Sequence, residues 1–145
     1  METSKGYAEV GKRFCGRWSL RPEKSWYEFG APAQRAEYRI KQEDDRLEIA
    51  IEWKSSDGHT FTMTNQFIPD GQEYPYHDPL IADTVSATFA NDRTLDTTSL
   101  KDGEIILHAR RELLEDGRSM IVTQTGKTAQ GTSFSNISFY ERQPE

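Results

Sequence analysis

The residues of this chain best suited to chemistry at neutral pH surround a histidine in the segment Tyr74-Pro-Tyr-His-Asp-Pro79. A histidine side chain titrates near pH 6.5 and can act as a general base when a neighbouring carboxylate orients its ring. His77, Asp78 and Tyr74 are therefore candidate acid/base groups. A His-Asp pair between two prolines is also typical of a simple turn, and that alternative stays open.

Two further histidines lie far from this segment. His59 begins an apolar run, where it is predicted either to line the mouth of a binding site or to be an exposed turn residue. His108 lies in a different run. Positions 59, 77 and 108 lack the local spacing of zinc ligands, and the single cysteine, Cys15, excludes an internal disulfide and a cysteine-cluster metal site. We therefore expect no metal and no cofactor.

Composition excludes several function classes. The chain has 145 residues, 18 Lys and Arg against 24 Asp and Glu, a net charge of −6 and 34% hydrophobic residues. An acidic balance disfavours nucleic-acid binding, which requires a basic surface. No apolar run is long enough for a membrane-spanning helix, and the start of the chain does not resemble a signal peptide. We therefore expect a cytoplasmic protein, with the alternative of a leader that has been cleaved left open.

The elements that must position any site are β-strands. In 46–54 and 34–42, apolar and charged residues alternate with a period of two, which is typical of strands with one buried face. Asp-Gly pairs, which favour hairpin turns, occur four times along the chain. The pattern predicts a short helix over 6–14, loops over 22–33 and 75–83, and about ten strands at 15–21, 34–42, 46–54, 59–69, 72–76, 84–90, 94–101, 104–115, 118–128 and 132–142.

Short turns between successive strands predict an all-β fold, a single up-and-down antiparallel β-barrel of about 8–10 strands. The barrel domain is predicted to span residues 14–143, after an N-terminal extension of residues 1–13. Closure into a barrel removes the exposed strand edges of a long meander. A two-sheet sandwich is the alternative, although Greek-key sandwiches need longer connections than these turns provide.

The inward faces of the predicted strands indicate a cavity. Many of these positions are small or polar, and a barrel of this size can hold one small ligand. In 104–115, the face of Leu107, Ala109 and Leu113 is the more apolar one, which turns Arg111 inward and His108 outward. The predicted ligand-binding residues are aromatic, apolar and polar side chains of the inward faces: Tyr38, Trp53, Phe61, Met63, Asn65, Phe67, Arg111 and Tyr140.

Several segments resemble a known family. Gly16-Arg17-Trp18 is similar to the Gly-x-Trp strand that opens calycins, the lipocalins and fatty-acid-binding proteins. Asp70–Pro75, Asp116-Gly117 and the closing Tyr140-Glu-Arg142 resemble small lipocalin-like domains common in bacteria. The resemblance implies a barrel with a ligand-sized cavity. It does not extend to the Arg-x-Tyr pair of fatty-acid-binding proteins, because the matching positions are Ser138 and Tyr140.

These observations favour a module that binds a small, largely apolar molecule inside a calycin-like barrel, as a monomer or homodimer. The alternative is a small barrel enzyme, an isomerase or cyclase that shapes an apolar substrate and uses His59, His77, Asp78 or Tyr74 as its acid/base groups. A third hypothesis is an interaction scaffold whose barrel is filled by its own side chains.

Overall fold

The computed structural model describes residues 4–127 and 130–144. One α-helix, α1, precedes an antiparallel sheet, and a 3-10 turn at Pro22–Lys24 follows the first strand. The bounds are α1 Ser4–Phe14, β1 Gly16–Leu20, β2 Trp26–Tyr27, β3 Arg35–Glu43, β4 Arg46–Lys54, β5 Thr60–Phe67, β6 Asp70–Pro75, β7 Thr84–Asn91, β8 Thr94–Lys101, β9 Glu104–Leu113, β10 Ser119–Lys127 and β11 Ser133–Arg142.

The sheet closes almost completely on itself, and the predicted up-and-down barrel is confirmed. Its strands follow the order β5-β4-β3-β1-β11-β10-β9-β8-β7-β6, and β2 pairs with β11 outside this path. The first long strand pairs with the last, with Trp18 opposite Arg142. The edge strands β5 and β6 do not pair with each other, so one gap remains in the barrel wall.

Turn chemistry explains part of this strand order. Between β8 and β9, Asp102 and Gly103 have φ values of 53° and 78°, the positive values that a two-residue type I′ hairpin turn requires at both central positions. The pair Asp70-Gly71 behaves differently from the prediction, because it lies inside β6 at a shift in register rather than in a hairpin turn. An Asp-Gly pair therefore indicates a position where the backbone can adopt positive φ, whether or not a strand ends there.

One end of the barrel is filled with packed side chains. Helix α1 covers this end and contributes Phe14, and β1 contributes Trp18; both side chains are fully buried. The indole nitrogen Nε1 of Trp18 donates to the carbonyl of Phe14 at 2.9 Å, which joins the helix to the first strand. Leu47, Leu95 and Met120 complete this closed end, also without exposure to solvent.

The predicted loop over 22–33 is only partly correct. Trp26 and Tyr27 form a short strand on β11, opposite Ile137 and Asn136. The Asn136 side-chain oxygen also accepts from the backbone nitrogens of Glu28 and Phe29, at 3.1 and 3.2 Å. A two-residue strand held by a side chain more than 100 positions away leaves no local periodicity to find.

Within the described residues, no helix is both long and apolar enough to cross a membrane.

Candidate functional site

A cavity of about 350 Å³ fills the barrel above the closed end. This volume lies in the range of small-molecule sites, roughly 300–1,000 Å³. Ala31 and Ala33, which follow β2, and Ser55 and Ser56, in the turn after β4, line it at the opposite end of the barrel. We call this opposite end the open end. The barrel is therefore not filled by its own side chains.

One side of the cavity is formed by bulky apolar side chains. They project from neighbouring strands on both sides of the gap, and Trp53 is stacked on Phe61 with ring centroids 5.3 Å apart. We call this surface the apolar wall; its residues are Ile49, Ile51, Trp53, Met63, Phe67 and Val85. Such a wall binds hydrocarbon by excluding water from it, at about 25 cal/mol per Å² of buried apolar surface.

The other side carries most of the hydrogen-bonding groups. They come from the contiguous strands β8 to β11, and from β2 where it lies on β11. We call this surface the polar wall; its residues are Tyr27, Thr97, Ser99, Arg111, Gln124 and Ser138. Between them the same strands contribute Leu107, Ala109 and Val122. The cavity is therefore two-sided: polar side chains are concentrated on this arc, with Leu107 and Val122 among them, and bulky apolar side chains predominate on the other arc, where Asn65 and Tyr76 also lie.

Arg111 is the charged group in the cavity wall. Its residue is 8% exposed, and its guanidinium donates to the Thr97 hydroxyl at 2.8 Å and to the Tyr38 hydroxyl at 3.4 Å. The guanidinium carbon also lies 5.3 Å from the centroid of the Tyr38 ring. Within the described residues, no carboxylate lies within 4.0 Å of this cation, and its Nε is buried without a hydrogen-bond partner.

Arg111 lies at the floor of the cavity. The next inward residue of β9 towards the closed end is Leu113, which pairs with fully buried Met120. In the other direction, the inward residues are Ala109 and then Leu107, both in the cavity wall. A ligand group that reaches Arg111 must therefore pass the whole length of the cavity.

The tyrosines of the site act as neutral hydrogen-bonding groups. Burial raises the pKa of Tyr27, Tyr76 and Tyr140 above the ordinary value. The Tyr27 hydroxyl is paired with the Ser138 hydroxyl at 2.8 Å. The Tyr140 ring packs against Tyr38, with centroids 4.9 Å apart. Since their pKa values are raised, the hydroxyls of Tyr27, Tyr76 and Tyr140 stay protonated at neutral pH, so they can orient a ligand but do not serve as general bases.

Two side-chain contacts bridge the gap between β5 and β6. The Tyr76 hydroxyl donates to the sulfur of Met63 at 2.9 Å, and the backbone nitrogen of His77 donates to the side-chain oxygen of Asn65 at 2.8 Å. Both contacts join β5 to the segment after β6. The gap is therefore bridged by two contacts among four residues, in place of a ladder of backbone hydrogen bonds.

The open end exposes large apolar side chains. Leu80 is 87% exposed in the segment between β6 and β7, Ile105 is 63% exposed, and Ile81, Phe29 and Phe61 are each about half exposed. Lys101 donates to the carbonyl of Pro79 at 3.2 Å and so ties the β8–β9 hairpin to this segment. An apolar molecule that enters here meets apolar side chains before it reaches the cavity.

The four predicted acid/base residues do not line the cavity. His59 is exposed and pairs its Nδ1 with Asp57 at 3.0 Å, outside the site. The Asp78 carboxylate accepts from the backbone nitrogen of Leu80 at 3.0 Å, as in a turn. The Tyr74 hydroxyl donates to Asp70 at 2.9 Å, and His77 is exposed, with its backbone rather than its ring engaged.

The structure brings most of the predicted ligand-binding residues together. Tyr38, Trp53, Met63, Asn65, Phe67, Arg111 and Tyr140 all line the cavity. Phe61 does not line it. This side chain is about half exposed at the open end, where its ring stacks on Trp53. Alternation predicts the face of a strand on which a residue lies. It does not predict whether that residue lies beside the cavity or beyond its open end.

Sequence reasoning did not find Tyr27 and Tyr76 as cavity-lining residues. Tyr27 lies in a segment predicted to be a loop, and Tyr76 lies where the predicted strand 72–76 overlaps the predicted loop 75–83. On the outer surface, Asp96 receives two hydrogen bonds from Arg110, at 2.8 and 2.9 Å. His108 lies 3.3 Å from the same carboxylate. These contacts place Arg110 and His108 outside the barrel. No group of three or more metal-ligating side chains occurs in the described part of the chain.

Comparisons with known proteins support the fold. No family model matches the chain, and no curated protein matches it. Two solved structures cover the chain over almost their own full length. The S-type phycobiliprotein lyase CPES of Guillardia theta covers 100% of this chain and 99% of its own, with 14% identity and a TM-score of 0.60. The zebrafish ileal bile acid-binding protein, complexed with cholic acid, covers 90% and 99%, with 16% identity and a TM-score of 0.58.

A third solved structure, the extracellular fatty acid binding protein As-p18, covers 92% of this chain and 99% of its own, with 12% identity and a TM-score of 0.57. Identities this low are evidence for the fold alone. Together with the strand order, the nearly closed wall and the interior cavity, they show that this chain has a calycin-like fold.

Proposed function

We propose that this protein binds a small, largely apolar molecule that carries an acidic group, and that Arg111 binds this group at the floor of the barrel. The apolar wall supplies the affinity for hydrocarbon. Arg111 then selects one end of the ligand and fixes its direction in the cavity. The ligand enters with its acidic group first and leaves its other end at the open end.

The observation that carries the proposal is the unpaired charge of Arg111. Placing an ion in a protein interior costs several kcal/mol unless an opposite charge and hydrogen bonds compensate it. Here the neighbours are two neutral hydroxyls, those of Thr97 and Tyr38, and Nε has no partner. A carboxylate, or another oxyanion of a ligand, would supply both the missing charge and the missing acceptor.

The solved structures with the same fold support this proposal. The zebrafish protein was solved with cholic acid, and As-p18 is described as a fatty acid binding protein. Cholic acid and fatty acids are largely apolar molecules with one carboxyl group. Binding is also favoured over catalysis by the wall itself, because His59, His77, Asp78 and Tyr74 lie outside it.

Binding of a fluorescent acid and its neutral ester tests the proposal. We expect 11-(dansylamino)undecanoic acid to bind purified protein at micromolar concentration, with enhanced emission. Arg111→Met should weaken binding of the acid at least tenfold, because an ion pair in a buried site is lost. The same substitution should leave the affinity of the methyl ester within about threefold.

Arg110→Met is the matched control, since Arg110 lies next in the chain but points outward and pairs with Asp96. It should bind the acid like the unmodified protein. Circular dichroism of both variants checks that the barrel is intact, and Arg111→Lys, which keeps the charge but loses the planar fork, serves as a second variant. Equal affinity for acid and ester, unchanged in Arg111→Met, would overturn the proposal.

A further inference from the structure

Two groups of the polar wall, Ser99 and Gln124, have unused hydrogen-bonding capacity. The other polar side chains of this wall are paired: Thr97 with Arg111, and Tyr27 with Ser138. The side chains of Ser99 and Gln124, by contrast, make no hydrogen bond within the described residues. Both nevertheless line the cavity, where a ligand can reach them.

The register of the sheet gives the distance of these two residues from Arg111 along the strands. Gln124 pairs with Ala109, which is two residues from Arg111 on β9, and Ser99 pairs with Leu107, which is four residues away. Since an antiparallel strand rises about 3.4 Å per residue, the backbone of Gln124 is displaced about 7 Å and that of Ser99 about 14 Å from Arg111 in the strand direction. The free polar groups thus follow one another along a single side of the cavity.

The opposite side is mostly apolar over the same height. Ile49, Ile51 and Val85 cannot form hydrogen bonds. Two polar side chains on that side are already engaged: Asn65 accepts from the backbone nitrogen of His77, and the Tyr76 hydroxyl donates to the Met63 sulfur. A polar group that faced this wall would lose its water without a replacement partner, which costs about 1–3 kcal/mol. The two walls therefore prefer different chemistry on the two sides of a ligand.

We infer that the ligand is two-faced: its acidic group is followed along one edge by hydroxyl or carbonyl groups that reach Gln124 and Ser99, and its opposite face is hydrocarbon. The inference rests on the proposed function, because the acidic group at Arg111 sets the direction of the ligand. An unsubstituted fatty acid would satisfy Arg111 and the apolar wall but leave Ser99 and Gln124 without partners.

A pair of acids that share one rigid skeleton tests the inference. Cholic acid carries three hydroxyl groups on one face, and 5β-cholanic acid has the same skeleton and carboxyl group without them. Calorimetric titration of each into the protein gives two dissociation constants. We expect Gln124→Met and Ser99→Ala each to reduce the preference for cholic acid about five- to tenfold, the effect of one hydrogen bond.

Thr123→Val and Thr98→Val are the matched controls, because these residues neighbour Gln124 and Ser99 in the chain but face the other side of the sheet. Both should leave the ratio of the two dissociation constants unchanged. If both acids bind and neither Gln124→Met nor Ser99→Ala alters the ratio, the inference is wrong while the proposed function stands. If hexadecanoic acid binds and cholic acid does not, the inference is likewise overturned. If no acid binds at all, both fail together.

Discussion

The two ends of this barrel are built by the same strands, yet their side chains are arranged in opposite ways. At the closed end, Phe14, Trp18 and Met120 are fully buried under helix α1. At the open end, Leu80 and Ile105 are mostly exposed, and the volume below them is a cavity. Close packing is therefore confined to one end, while the cavity that opens at the other end reaches down to Arg111, which has no carboxylate within 4.0 Å among the described residues.

This division also explains the low apolar content of the chain. Only 34% of the residues are hydrophobic, yet the closed end is densely packed, because strands β8 to β11 carry fewer apolar residues at inward positions beyond that end. Towards the open end these strands use Ser99 and Gln124 at inward positions. A two-sided cavity therefore needs fewer apolar residues than a filled barrel of equal length.

The largest expected effect compares one tryptophan from each end. Trp18→Ala should reduce the free energy of unfolding by about 3–5 kcal/mol, because it leaves a void in a packed core and removes the hydrogen bond to Phe14. Trp53→Ala should cost about 1 kcal/mol, since this side chain borders an existing cavity and solvent. Urea unfolding followed by circular dichroism measures both. Equal losses would mean that the two ends are packed alike.

The next effect concerns Arg111 and has the opposite sign. In ligand-free protein, Arg111→Met should raise the free energy of unfolding by about 1 kcal/mol, because a buried charge without a counter-charge is replaced by an apolar side chain. Arg110→Met should lower it by less than about 1 kcal/mol, the usual value of an exposed ion pair. Urea unfolding of protein refolded without ligand provides the test. A loss above about 1 kcal/mol in Arg111→Met would show that Arg111 serves the fold.

The smallest effect is a dependence on alkaline pH. Burial and the hydrogen bond to Asp70 raise the pKa of Tyr74 from 10.0 to about 12. Because the folded state holds this proton more tightly than the unfolded state, the resulting stabilisation is complete below pH 10 and is lost as the pH rises from 10 to 12. Tyr74→Phe, which cannot ionise, should lose less stability over this window. Thermal unfolding at pH 9 and pH 11.5 compares the two, and parallel losses would contradict the assignment.

Much of the fold is readable from local patterns. The alternation in 46–54 predicts strand β4 with the bounds that the structure shows. The apolar partners of Arg111 on its own strand, Ala109 and Leu113, suffice to predict its inward face. These features depend only on neighbours two residues away, which is why single-sequence reasoning reaches them.

The rest depends on contacts between distant segments. No local sequence pattern at Trp26 and Tyr27 predicts a strand, because the strand forms by pairing with β11, near the other end of the chain. The gap between β5 and β6 follows from the overall strand order, and the depth of Phe61 depends on where the rim lies. The predicted acid/base role of His77 and Asp78 depends on their adjacency in the chain. In the structure the backbone nitrogen of His77 donates to Asn65 across the gap, and the Asp78 carboxylate accepts from the backbone nitrogen of Leu80 within a turn.

Native mass spectrometry of the protein as purified from cells tests whether Arg111 holds an acidic ligand in the barrel. We expect a bound small molecule, released on unfolding and detected as an acid in negative-ion mode, in the unmodified protein and in Arg110→Met. Arg111→Met should carry little or none of it. The same acid bound in equal amount to Arg111→Met, or an empty barrel that also fails to bind the fluorescent acid, would contradict the account.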